Sequence, residues 1–387
     1  MSCFFSVVLL ALLALPLPRY FTVSSPLDSR TMFLTRNPFA VSGEAVAADI
    51  GDGRAKRGIA LWRGDALSVL PHVPKSSRFP NSTGFYITLG TIAPSGTLFA
   101  MRATPFDGAY IGTDYDVLRL SANDWTQVSV DGCKVGFNVG HVERVESDGT
   151  LDITYESPEL INFDVAATGQ YAPYAARLNG STCRVLGRFN LRDVNGHFAV
   201  GYRGYLNGTL APTNLNVVQQ EYFAVRYHAG KLTQMGRGEA FAVASDGTAV
   251  GADAPPFHGT VMFGSNTGMS RTYRTYSCCT PHAVLWDMHG RTIALAPQSP
   301  QSIAFAIDAK HRVLGALLGR DGRHYAFLWD RGRLHLLDDV AHAPGWRFEG
   351  AYRFMPDGSI VGAGTHDGIA TAFLMPVQDY SKPSAIP

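Results

Sequence analysis

The stretch that most limits how this chain can fold is YAFLWDRG, Tyr325 to Gly332, because variants of it recur. HAVLWDMHG at 282–290 is a second copy, TAFLMP at 371–376 a third and RGIALWRG at 57–64 a fourth. A short repeated unit cannot bury its own apolar face and has to stack on its neighbours. Around the copies, four strand-length segments recur in fixed order. Segment A alternates apolar residues and ends in a small or polar residue with Gly. B is a short β-branched or small apolar run, C is the AFLW type, and D carries Leu or Val at alternate positions.

The A–B turns are the best ruler. They fall at Ser42-Gly43, Ser95-Gly96, Asp148-Gly149, Asn195-Gly196, Asp246-Gly247 and Asp357-Gly358, with Lys310-His311 in the equivalent place of one further unit. The intervals are 53, 53, 47, 51, 64 and 47 residues, the 64 containing an insertion, which defines seven units. Asn-Gly, Asp-Gly and Ser-Gly suit a turn that needs a positive φ. The C segments keep the same count: IALW (59–62), DVLRL (116–120), AARLNG (175–180), FAVRYHAG (223–230), then the three copies at 282, 325 and 371. D segments follow the first six. The seventh unit has none.

Seven units of four antiparallel strands predict an all-β, seven-bladed β-propeller, in which each blade buries both faces against its neighbours. The missing last strand has to come from the other terminus, and YFTVSS (20–25) is the expected source. The strand pattern agrees. In YAFLWD, Ala326 and Leu328 point one way and Phe327 and Trp329 the other, so both faces are apolar. Trp286 and Trp329 are therefore expected in the core. The expected organisation is a leader over 1–19, one propeller domain over 20–377 and a tail over 378–387.

The last three units resemble the HAF-repeat family, in which a segment like AINxxGxxVG precedes HAFLW. The matching residues are AVASDGTAVG (242–251) with HAVLWDMHG, AFAIDAKHRVLG (304–315) with YAFLWDRG, and MPDGSIVGAG (355–364) with TAFLMP. The likeness is good over about 239–376. His282 keeps the family's His; Tyr325 and Thr371 replace it later. The resemblance implies a β-propeller-like fold and an exported bacterial protein, and carries no activity that transfers to particular residues.

The N-terminus is consistent with export. Residues 4–17 form an unbroken apolar run of signal-peptide length, short of the roughly 20 residues a spanning helix needs. Arg19 is the first basic residue, and no clean small-x-small cleavage site follows the run. An export signal, an uncleaved anchor and a buried strand are the three readings, and an extracellular or periplasmic location is expected. Of five cysteines, Cys3 precedes the run. In an exported chain Cys133 and Cys183 are disulfide candidates, because the register places both on the outer edges of neighbouring units. Cys278-Cys279 is open between free thiols, a vicinal disulfide and a redox or metal role. No CxxC or Cys/His ligand spacing occurs, so neither a metal nor another cofactor is expected.

A net charge of +1 gives no general attraction to nucleic acid. Arg outnumbers Lys by 27 to 6, a bias assigned to coding composition rather than to phosphate binding. The membrane enters only through an uncleaved leader.

Function is expected on one face. The A–B and C–D turns are minimal, while the B–C connections run over about 104–114, 158–170, 204–220 and 253–281 in the middle units and only 317–323 and 365–370 in the last two. They are rich in aromatic residues, and Tyr110, Tyr171, Tyr205, Phe257, His258, Arg271, Tyr273 and Tyr276 are the candidate binding residues. No GxSxG, HExxH, P-loop or GxGxxG stands in a supporting context, so no catalytic residue is assigned. Asp152, Glu156 and Glu159 are close in sequence and read as a solvated edge. His282 and His324 read as hydrogen-bonded turn residues. The expected function is a non-enzymatic binding or interaction module for a protein or glycan partner, held on the B–C face around the central opening. A carbohydrate-active propeller with carboxylates at the channel mouth and a structural envelope protein are the alternatives.

Overall fold

The computed structural model describes residues 19–21, 39–50, 58–63, 66–70, 73, 86–106, 112–121, 124–129, 133, 138–156, 170–171, 173–207, 219–254, 258–260, 274–276, 280–341 and 343–376. Seven blades of four antiparallel strands stand in a ring, so the chain is a seven-bladed β-propeller. Blade 6 shows the plan: strand A is Gln301–Ile307, B is Val313–Leu318, C is His324–Asp330 and D is Arg333–Leu336, hydrogen-bonded in that order. Every A strand lies against the A strands of the two adjacent blades, all the way round, so the A strands line the axis. Blade 7 comprises Trp346–Phe354, Ile360–His366 and Ile369–Met375, and its fourth strand is Arg19–Phe21, paired through Arg19↔Leu374, Tyr20↔Phe373 and Phe21↔Ala372. This is the ring closure by the N-terminal segment that the missing seventh D segment required.

The turn ruler has a simple backbone basis. In blade 5 the Gly247 N–H donates to Ala244 O and the Ala244 N–H donates to Thr248 O, which leaves Gly247 at φ +86°. Asp246 completes the turn by accepting from the Thr248 N–H at 2.9 Å. His311 holds the same left-handed place in blade 6 at φ +60°, which is why the ruler there lacks its glycine.

The core is divided among the seams. Among the described residues seven hydrophobic clusters occur, each dominated by one pair of adjacent blades, and the cluster between blades 7 and 1 extends onto the axis. Ala326 and Leu328 pack toward blade 7, and Phe327 and Trp329 pack toward blade 5, as the alternation of YAFLWD demands. Trp286 is buried at 1% exposure, but Trp329 is only partly buried. Its strand reaches the rim there, which corrects the expectation of a full core position.

The described A strands of blades 2 to 7 are each interrupted by a β-bulge at an equivalent place, with Gly90, Glu143, Arg192, Phe241, Phe305 and Tyr352 as the extra residues. A bulge leaves one residue out of the ladder and re-aims its side chain. It also explains the glycine closing AVG and VLG in the later units. A Cβ on Gly315 would meet Ile303 O at 2.2 Å, and one on Gly251 would meet Glu239 O at 1.9 Å. The carbonyl beside the bulge occupies the space a side chain would need.

Arginines join blades as well. Arg63, Arg177 and Arg226, all on C strands, donate to the A–B turn carbonyls of Gly96, Gly196 and Gly247 in the next blade, at 3.3, 3.2 and 2.9 Å. Whatever the origin of the bias toward Arg, its long forked side chain serves here as a tie between blades.

Candidate functional site

The A–B and C–D hairpins are short in every blade, and long connections gather on the opposite face in blades 3, 4 and 5. Parts of these connections are themselves ordered against blade 4. Its B strand (Phe198–Asn207) and C strand (Gln219–His228) pair over ten residues, well past the end of its A strand, Asn190–Asn195. Gln170–Tyr171, from the blade 3 connection, takes over where strand A stops, pairing Gln170↔Tyr205 and Tyr171↔Gly204. The long blade 5 connection contributes a hairpin, His258–Thr260 with Arg274–Tyr276, whose first strand lies beside strand C of blade 4. Three blades thus build one raised wall.

This wall collects part of the expected set. The backbone register pairs Tyr171 with Gly204 and Tyr205 with Gln170, so these two tyrosines sit one position apart in neighbouring strands, and it pairs His258 directly with Tyr276. Tyr110, Phe257, Arg271 and Tyr273 lie outside the described residues, as do Cys278 and Cys279.

Below the wall, tyrosines pair across strands. Tyr155 stacks on Tyr174 with ring centroids 5.4 Å apart, and Tyr202 meets Tyr222 at 5.0 Å. Arg188 lies over Tyr174 at 5.4 Å and Arg192 over Tyr202 at 5.0 Å. These contacts combine an apolar ring face with a guanidinium, an arrangement in which the ring quadrupole attracts the cation.

Aromatic side chains of neighbouring blades meet beside the axis. Phe39 contacts Tyr352 at 5.7 Å, Tyr352 stacks on Phe305 at 4.8 Å, Phe305 meets Phe241 at 6.1 Å, and Arg192 lies over Phe241 at 5.7 Å. Phe39 stands near the corresponding place of blade 1, so side chains of neighbouring blades meet in an arc around the axis from blade 4 through blade 7 to blade 1. Buried and partly buried aromatic side chains thus line the blade 5 to blade 1 side of the axis, and the strands added to blade 4 stand apart from it.

At the blade 4 end of this arc Arg192 bonds Glu239 at 3.3 Å. Burial opposes the charge on Arg192, but Tyr202, Glu239 and Glu143 outweigh it and hold the guanidinium pKa above its ordinary value. Burial pushes the Glu239 carboxyl up, with Arg192 pulling partly back. Tyr352 is likewise raised, by burial first and then by Glu349.

Asp152 is not on a solvated edge. It is fully buried at the seam of blades 3 and 4, where Arg177 donates to its Oδ1 at 2.8 Å while Oδ2 has no hydrogen-bond partner. Burial raises its pKa to about 7, against the opposing charge of Arg177. The alternation of LDITYE places Asp152 on an inward face, but a lone acidic residue in an alternating run reads as solvent-facing unless its basic partner is known. That partner lies on strand C, 25 residues on. A second buried pair, Arg102 with Asp116, is completed by Gln127 within blade 2.

His282 meets Asp253 at 3.5 Å, and its N–H donates to the same carboxylate at 2.8 Å, so it ends a loop as expected. Burial lowers the pKa of His324. Among the described residues no group of three His, Cys, Asp or Glu side chains is placed to hold a metal ion. Cys133 and Cys183 form a disulfide that ties the connection between blades 2 and 3 to the outer strand of blade 3.

No family model matches the chain, and no curated protein does. Solved structures do resemble it. The β-propeller domain of the Trilobed protease from Pyrococcus furiosus, described as having an open velcro topology, is 12% identical over 89% of this chain and 98% of its own, with a TM-score of 0.47. A polysaccharide lyase, an ulvan lyase, is 9% identical over 92% and 95%, with a TM-score of 0.48. YjhT is 11% identical over 94% and 97%, with a TM-score of 0.40. Likenesses of this strength carry no argument about activity.

Proposed function

We propose that this chain is an exported, non-enzymatic binding propeller that holds a protein or glycan partner on its B–C face, at the wall raised on blades 3 to 5. The observation that carries the reading is the convergence of connections from three blades on the tyrosine-bearing sheet of blade 4. A rigid ring with variable loops on one side is a common platform for recognition, and tyrosine offers stacking area with a polar tip. The Cys133–Cys183 disulfide supports an oxidising, exported setting. The resemblance of the later units to HAF-repeat proteins points to the same compartment.

A carbohydrate-active enzyme is the second reading, favoured by Glu143 and Glu239 on either side of Arg192. In that reading one carboxyl is a proton donor and the other a base or nucleophile. The charge contact of Glu239 with Arg192 weighs against it, because it fixes that carboxylate in a structural pair.

Deleting 255–279 tests the leading reading. The variant is expected to keep the far-UV circular dichroism and thermal midpoint of the parent, and to lose binding to any partner found by crosslinking on intact cells. Retained binding would remove this wall from the proposal. Hydrolysis of a glycan by the parent that disappears in Glu239→Gln would replace it with the enzyme.

A further inference from the structure

Ring closure and the leader meet at one place in the sequence. The closing strand is Arg19–Phe21, and the apolar run ends at Leu17, leaving only Pro18 between them. Blade 7 has no other fourth strand among the described residues: Arg19–Phe21 alone pairs with the outer edge of Ala372–Leu374. Its loss would expose the N–H and C=O groups of that edge and undo the strand pairing that supplements the packing of blade 1 against the last blade.

We infer that the mature chain keeps Arg19–Phe21, so that the cut releasing the leader falls on the N-terminal side of Arg19, after Ala14 or within Leu15–Pro18. This inference rests on the export reading of the proposed function. The reaction is hydrolysis of one peptide bond by a peptidase of the export machinery. Water supplies the hydroxyl of the released carboxyl end and a proton to the new amino end. Ala11 and Ala14 are the small residues ahead of Arg19, and a cut after Ala14 leaves Leu15–Pro18 as a lead into the strand. The small residues Thr22, Ser24 and Ser25 lie beyond it, and a cut there would remove the strand entirely. Processing and fold closure thus share a boundary a few residues wide.

Two measurements decide the matter. The full chain is expressed in a bacterium, and the exported fraction is sequenced from its N-terminus. A first residue between 15 and 19 is the expected result; a first residue at 22 or later overturns the inference, and so does an exported chain that retains the whole leader. Recovery only in the cytoplasm sinks the export reading instead, and the second arm still tests the strand. Chains beginning at Arg19 and at Thr22 are made without a leader and compared by thermal unfolding and limited proteolysis. The shorter chain is expected to melt about 5 °C or more below the longer one and to be cleaved faster within blade 7. Equal midpoints and equal cleavage would overturn the inference whatever the compartment.

Discussion

On one side of the propeller axis the bulge-level residues are Phe39, Tyr352, Phe305 and Phe241; on the other they are Arg192, Glu143 and Gly90. One backbone device carries opposite chemistries. On the aromatic side each ring buries area and gains about 0.5–1.5 kcal/mol more from its ring partner. On the charged side, desolvation offsets much of the attraction between Arg192 and its carboxylates, so the pairs specify geometry more than they stabilise it. The charged side belongs to blades 2 to 4, and blades 3 and 4 also carry long outer connections, the disulfide and the buried Asp152. The regular side belongs mainly to blades 5, 6, 7 and 1. Aromatic packing is concentrated on one side of the axis and elaboration on the other, with the long blade 5 connection reaching across to blade 4.

The largest effect is expected from breaking the aromatic side. Phe305→Ala removes the ring that links Phe241 to Tyr352 and is expected to cost about 4 kcal/mol in urea unfolding. A loss under about 1 kcal/mol would mean the aromatic chain is not a stabilising unit. The charged side should respond differently. Arg192→Met leaves Glu239 buried without its cation and is expected to cost about 3 kcal/mol, while adding Glu239→Gln to it should restore most of that loss. A double variant no more stable than the single one would show that the pair is not an energetic unit.

The smallest effect is a pH dependence confined to the elaborated side. Asp152 titrates near about 7 in the folded chain against 3.8 ordinarily, so the fold holds this proton more tightly than the unfolded chain does. Its favourable contribution is complete below about 3.8 and is lost as the pH rises through 7. Asp152→Asn is therefore expected to gain on the parent by about 1–2 kcal/mol between pH 5 and pH 8.5. Arg177 loses an ionic partner in the variant, which keeps the gain below the full linkage value. A stability difference that stays constant across that range would rule out the titration.

What could be read beforehand follows from how local each feature is. The seven A–B turns were legible because a left-handed residue and an Asx hydrogen bond are set by three or four neighbouring residues, as at Asp246-Gly247-Thr248. The last three C strands were legible because burial on both faces demands an apolar run, as in Tyr325–Trp329, whereas the first four, such as DVLRL at 116–120, were placed only by the turn ruler. The bulge ring was not, since its residues are Phe, Gly, Glu, Arg, Phe, Phe and Tyr and form no motif. Their offset from the left-handed turn residue is common to Gly90, Glu143, Phe241, Phe305 and Tyr352, while Arg192 and Phe39 lie closer to their shorter turns. Arg192 and Glu239 lie 47 residues apart, and nothing in either local segment names the other. Tyr171 and Tyr205 were singled out separately for lying in long connections, but their adjacency depends on one blade lending a strand to the next.

The amino-acid sequence alone pointed to seven repeat units, the order of their strands and a closing strand from the N-terminus, because these follow from short-range turn chemistry that recurs along the chain, and the structure fixed the count at seven blades. The tertiary structure alone decided which aromatic rings and which charges meet beside the axis and which three blades build the raised wall. Those outcomes depend on residues far apart in the chain coming within a few ångströms when the ring closes, and no local pattern records that distance.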